Sequence, residues 1–130
     1  MTGDDMALMS SLIGSRYVKN GKTPDEGFDC YSFLSYIYSK IKGVDLPDYT
    51  SIGSVAEITD RVNDGICDWK KVPESEGVAV LMSGTGADRH IGYCIGGGKF
   101  IHCEEGSGVR VDRIGLVRSK IIGFYKYERN

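Results

Sequence analysis

Cys30, His90 and His102 are the side chains that could together perform nucleophilic catalysis in this chain. A cysteine nucleophile needs a base to take its proton, and the base needs a third polar group to hold its ring and tautomer. Cys30 is singled out by its position. Phe33, Leu34, Ile37, Tyr38 and Ile41 follow it at the spacing of one helix face. Gly27 precedes, Asp29 can accept from free backbone donors of the first turn, and Gly43 provides the stop. The pattern predicts a helix from about Cys30 to Lys42. A thiol in its first turn meets backbone N–H groups and the positive end of the macrodipole, which favour thiolate over thiol. The competing reading of any one cysteine is a small buried hydrophobe, and Cys67, Cys94 and Cys103 are read in that way.

The histidines lie in a stretch with strand periodicity. His90 to Ile95 and Lys99 to Cys103 are strand candidates joined by Gly96-Gly97-Gly98. With all three glycines in the loop, Ile95 pairs with Lys99, Cys94 with Phe100 and Gly92 with His102. His90 and His102 then share a face, with Ile91, Tyr93, Ile95 and Ile101 on the other. A two-residue loop would put the histidines on opposite faces. Gly92, between His90 and Cys94, leaves room for a close approach, here expected from the start of the Cys30 helix. Metal is the rival use of these residues. A zinc set of Cys94, Cys103, His90 and His102 is disfavoured because the two cysteines point to opposite faces in this register.

Around this site the chain reads as helices first and antiparallel strands later, which is an α+β layer arrangement. Asp5 can cap a short first helix through Ala7 to Ile13, and Asn20-Gly21 marks a turn. A second amphipathic segment carries Ile52, Val55 and Val62, while Ile66 to Val72 is ambiguous, with Trp69 its anchor. Strands are expected at Val78 to Met82, Val109 to Asp112 and Ile121 to Tyr127 in addition to the histidine hairpin, about five in all. A length of 130 residues fits one domain, 1–130, with a core that needs no disulfide or structural metal. A net charge of −2, with mixed signs along the chain, gives no nucleic-acid footprint. The acidic start and short apolar run give neither a secretory signal nor a membrane span. The four cysteines are expected to be reduced, and the chain to be cytoplasmic at synthesis.

Gly14 to Tyr17, Gly27-Phe28-Asp29-Cys30, Leu46-Pro47, His90-Ile91-Gly92, Gly96 to His102 and Gly108-Val109 together resemble the NlpC family of cysteine peptidases, cell-wall endopeptidases of bacteria and phages. The resemblance covers nearly the whole chain. It implies a papain-like α+β fold with N-terminal helices on a central antiparallel sheet, and it places Cys30 as nucleophile, His90 as base and His102 as third polar residue. It implies further that Tyr17 shapes the oxyanion and substrate region and that Asp29 receives a peptide's free amine. The implied substrate is a peptidoglycan stem peptide, cut between D-glutamate and a diamino acid without a cofactor.

Where the family usually has serine and glycine after the nucleophile, this chain has Tyr31 and Ser32, which places them in the substrate region, and Gly77-Val78 replaces a usual Gly-Asp. With Leu46 to Tyr49 and the last strand, these departures look like the phage tail-assembly branch, implying other tail proteins as partners and incorporation in a virion. The alternatives are a non-catalytic tail assembly domain and a thiol acyltransferase or amidase on another substrate.

Overall fold

The computed structural model describes residues 1–47, 69–84 and 89–128. Helix α1 (Gly3–Leu12) opens on a capping box: Thr2 Oγ1 accepts from the Asp5 N–H at 3.0 Å, and Asp5 Oδ2 accepts from the Thr2 N–H at 3.2 Å. Asp5 is thus the third helical residue, and the cap is Thr2. The short strands β1 (Lys22–Thr23) and β2 (Gly27–Phe28) pair and deliver the chain to helix α2 (Cys30–Ile37). A π turn, Tyr38–Lys42, extends α2, and Gly43 ends it in the left-handed conformation at φ 64°. The expected span from Cys30 to Lys42 is met, with its last turn wider than an α-helix. The amphipathic segment of Ile52 to Val62, with Cys67, Asp48 and Tyr49, lies outside the described residues.

The main sheet has six antiparallel strands in the order β3-β8-β4-β5-β6-β7. These are β3 (Trp69–Val72), β4 (Ala79–Ser83), β5 (Arg89–Gly96), β6 (Lys99–Glu104), β7 (Gly108–Arg113) and β8 (Ile121–Tyr127). The count exceeds the expected five because the ambiguous stretch around Trp69 forms an edge strand. It pairs with β8 from Trp69↔Tyr127 to Val72↔Phe124.

The histidine hairpin reaches the expected parity by another route. Gly96 pairs with Lys99, so the loop is the two-residue turn Gly97-Gly98, and the register shifts between Cys94 and Gly96. Ile95 is the extra residue of a β-bulge, and one extra residue restores the phase that a two-residue loop would have inverted. Cys94 therefore still pairs with Phe100.

The two sheet faces are covered differently. Phe33, Leu34 and Ile37 of α2, with Met9 and Leu12 of α1, pack on Leu81, Ile91, Tyr93, Ile101 and Cys103. The opposite face carries Val80, Met82, Cys94 and Phe100 and is covered by Ile114 and Val117 of a 3₁₀ segment, Ile114–Lys120. This corrects the expectation for Gly92, since α2 lies on the face opposite to the shared histidine face. The space over Gly92 belongs to its own neighbours. A Cβ there would stand 2.8 Å from Phe100 Cδ2 and 3.2 Å from His102 Cβ.

Candidate active site

The start of α2 is fixed from both sides of the thiol. Asp29 Oδ1 accepts from the Ser32 N–H at 2.8 Å, and Ser32 Oγ accepts from the Asp29 N–H at 3.0 Å, a second capping box. Asp29 Oδ2 accepts from the Asn20 N–H at 3.0 Å, tying the helix start to the preceding loop. Tyr31 is buried and donates its hydroxyl to the Pro47 carbonyl at 2.6 Å, which pins the Leu46-Pro47 segment beside the helix. Tyr17 forms a parallel bridge with Phe28, and burial, then the neighbouring Cys30 and Asp29, push its phenol up to about 12. Tyr17 is therefore a hydroxyl donor at neutral pH.

The packing of α2 on β5 brings Cys30 to the histidines' end of the sheet. The β5–β6 ladder runs from Gly96↔Lys99 to Tyr93↔Ile101 and ends there. The Ile91 N–H, one residue past His90, lies against the Cys30 sulfur, together with the N–H groups of Tyr31 and of Cys30 itself. No hydrogen bond joins the Cys30 thiol to the His90 ring. The imidazoles themselves are joined, His90 Nε2 to His102 Nδ1 at 2.6 Å, with ring centroids 4.9 Å apart.

The electrostatics correct the expected thiolate. Burial first, then the Asp29 carboxylate, push the Cys30 thiol up to about 11 against the three backbone N–H groups that would stabilise the anion. Burial and then the adjoining His102 push His90 down to about 3. The resting pair is thus neutral thiol and neutral imidazole, with desolvation outweighing the backbone N–H groups at the sulfur. Cys94 and Cys103 are pushed further, to about 12 each, chiefly by burial. Limiting iodoacetamide is accordingly expected to label Cys30 before Cys94 and Cys103, at a rate still climbing about tenfold per pH unit between about pH 7 and 9. Peptide mapping by mass spectrometry checks both points, and earlier labelling of Cys103 or a plateau below pH 8 would contradict them.

Asp112 is the site neighbour that sequence reasoning missed. Its Oδ2 is 2.7 Å from His102 Nε2, and its Oδ1 accepts from Arg110 Nη2 at 2.7 Å. The signal was present in the strand parity, because His102 pairs with Arg110 and Phe100 with Asp112, placing all four on one face. Burial raises the Asp112 pKa, but Arg110 and His102 outweigh it and leave the carboxyl below its ordinary value. His102, Glu104 and Asp112 place ligand atoms within 4.8 Å of one another, but His102 and Asp112 already hold each other and Arg110. Cys94 and Cys103 lie in separate clusters on opposite faces, as the sequence parity requires.

Gly92 is what lets the two rings meet. Gly92→Ala is expected to cost about 1–3 kcal/mol by overpacking and to drive His102 from His90. A denaturation midpoint and turnover both equal to wild type would contradict that role.

The NlpC/P60 family model matches residues 14–121, and the chain belongs to the NlpC/P60 family. Its α+β architecture is the papain-like one of that family, with helices packed against the antiparallel sheet. Among curated proteins it is 29% identical over 103 residues to Protein P54 of Enterococcus faecium, covering 78% of this chain and 18% of that protein. It is 27% identical to the probable endopeptidase NlpC homolog of Haemophilus influenzae, covering 85% and 55%, and 30% identical to gamma-DL-glutamyl hydrolase of Bacillus subtilis, covering 73% and 20%. The chain thus spans about a fifth to about half of these relatives' lengths. The crystal structure of the NlpC/p60 domain of the peptidoglycan hydrolase SagA superposes with a TM-score of 0.66 at 25% identity, covering 98% of this chain and 100% of that one. A Staphylococcus aureus NLP/P60 family protein gives 0.70 at 17% identity, over 100% and 43% of the two chains, a likeness of fold. Among the described residues no helix is long and apolar enough to cross a membrane.

Proposed function

We propose that this chain is a cysteine peptidase, a thiol hydrolase with residues 1–130 as one catalytic domain, which cuts peptidoglycan stem peptides between D-glutamate and a diamino acid without a cofactor. The observation that carries this reading is a thiol at a doubly capped helix start, against the Ile91 N–H, one residue from a histidine whose ring bonds a second histidine. The names of relatives add support, a peptidoglycan hydrolase and a gamma-DL-glutamyl hydrolase among them. Because thiol and imidazole rest neutral, His90 takes the Cys30 proton as the sulfur attacks the amide carbonyl. The oxyanion is received by the Cys30 backbone N–H and the Tyr17 hydroxyl. His90 returns the proton to the leaving amine, and water clears the thioester. Asp29, half-buried with each oxygen already taking one backbone donor, presents its remaining lone pairs to the free amine of an unblocked L-alanine. Tyr31 and Ser32 shape the same end through the Pro47 contact and the capping box.

The phage-tail setting is part of this proposal and rests on the sequence resemblance at Tyr31, Leu46 to Tyr49 and the last strand. Incubation with a panel of defined muropeptides, with products assigned by mass spectrometry, tests the reading. Cleavage at D-glutamyl to diamino acid bonds is expected. Cleavage elsewhere would revise the bond. No product from any muropeptide, with binding to a tail protein that survives Cys30→Ala, would replace the peptidase by an assembly domain.

A further inference from the structure

The hydrogen bonds beyond His102 determine which nitrogen of His90 is free to act. A carboxylate can only accept, and Arg110 Nη2 on its other oxygen keeps Asp112 ionised. The proton between Asp112 Oδ2 and His102 Nε2 therefore sits on the imidazole. Burial holds His102 below its ordinary value, against the pull of Asp112, so the ring is neutral at pH 7 and its Nδ1 is a bare lone pair. His90 Nε2, 2.6 Å away, must then supply the hydrogen of that contact. A neutral His90 with its proton on Nε2 has Nδ1 left as its only acceptor.

We propose that Asp112 is a positioning residue, whose bond to His102 Nε2 selects the Nε2–H tautomer of both imidazoles and so leaves His90 Nδ1 as the base that serves Cys30. The proposal rests on the reading of Cys30 and His90 as nucleophile and base. The groups facing His102 are His90 from β5, the Phe100 ring at 4.5 Å and Glu104 from β6, and Asp112 with Arg110 from β7. Among the described residues only Asp112 bonds Nε2, and Glu104 and Arg110 act on the ring by charge alone. Protonation of His102 would invert the relay: its Nδ1–H would donate to His90 Nε2 and move the His90 proton to Nδ1, where it blocks the base.

The full chain has two histidines, so long-range proton–nitrogen NMR of histidine-labelled protein at pH 7 reports both rings directly. Wild type is expected to show hydrogen on Nε2 of both, with His90→Gln assigning the pair. Asp112→Asn, which matches the carboxylate in shape, and Asp112→Ala are expected to give mixed tautomers at His90 and to lower kcat about tenfold with KM nearly unchanged. Asp112→Glu should recover part of both. The spectra separate this proposal from the proposed function, because tautomers are read without any substrate. A wild-type His90 protonated on Nδ1 overturns it even if hydrolysis is brisk. Variants that keep Nε2–H on both rings with wild-type kcat overturn it also. If Asp112→Ala does not fold, Asp112→Asn and the wild-type spectrum still decide.

Discussion

Cys30→Ala is expected to lower stem-peptide turnover by a factor on the order of 10⁴ or more, with the fold intact. The size follows from the chemistry, since no other described side chain at the start of α2 is a nucleophile that His90 could serve. Ser32 is spent on the capping box, and Cys103 lies in the core with its thiol directed to the Phe28 carbonyl at 3.1 Å. Stability should change little, by about 1 kcal/mol, because the sulfur's partners are backbone N–H groups and the helix cap at Asp29 is untouched. Cys30→Ser is the sharper control, as its oxygen can still accept from the Ile91 N–H. Matched circular dichroism spectra with turnover preserved in both variants would contradict the assignment.

His90→Ala and His102→Ala are expected to reverse order between activity and stability. His90→Ala removes the proposed base and should cost on the order of 10³–10⁴ in kcat, whereas His102→Ala, whose proposed orienting role water can partly take over, should cost about 10–100-fold. Stability runs the other way. His102 is only 3% exposed and sits between Phe100, His90 and Asp112. Its loss opens a cavity and leaves one oxygen of Asp112 without its partner, a cost of about 2–3 kcal/mol. His90 is partly exposed and should cost less. Steady-state kinetics and urea melts on the same two variants read both orders. Equal kcat losses, or a more damaging His102→Ala, would contradict the division of roles.

Much of this site could be seen in the residues before any coordinates. The signals at Asp29, Gly27 and Gly43 placed a helix start at Cys30 and a stop at Gly43, because capping and left-handed glycine are local effects with short-range causes. The shared face of the histidines also emerged, though from a three-residue loop where the chain uses Gly97-Gly98 and a bulge at Ile95. Parity is set by the sum of loop and bulge, and the sequence shows only the sum. What stayed hidden depends on distant partners. The edge strand at Trp69 pairs with β8, more than fifty positions away in the chain. The space over Gly92 is filled by Phe100 and His102, and the rise in the Cys30 pKa comes from burial that no local pattern records. Asp112 stands in the β7 alternation, but in sequence Arg110 and Asp112 look like an ordinary solvated pair until His102 is placed opposite them.

The most direct test of Cys30 as the nucleophile is to catch the acyl group on its sulfur. Wild-type protein is mixed with an L-alanyl-γ-D-glutamyl-diamino acid peptide, quenched in acid during the first turnover, digested and mapped by mass spectrometry. The expected result is an L-alanyl-D-glutamyl thioester on the peptide bearing Cys30, with neither adduct nor product in Cys30→Ala. Product formed at the wild-type rate by Cys30→Ala, or an acyl group found on Cys94 or Cys103 instead, would contradict it.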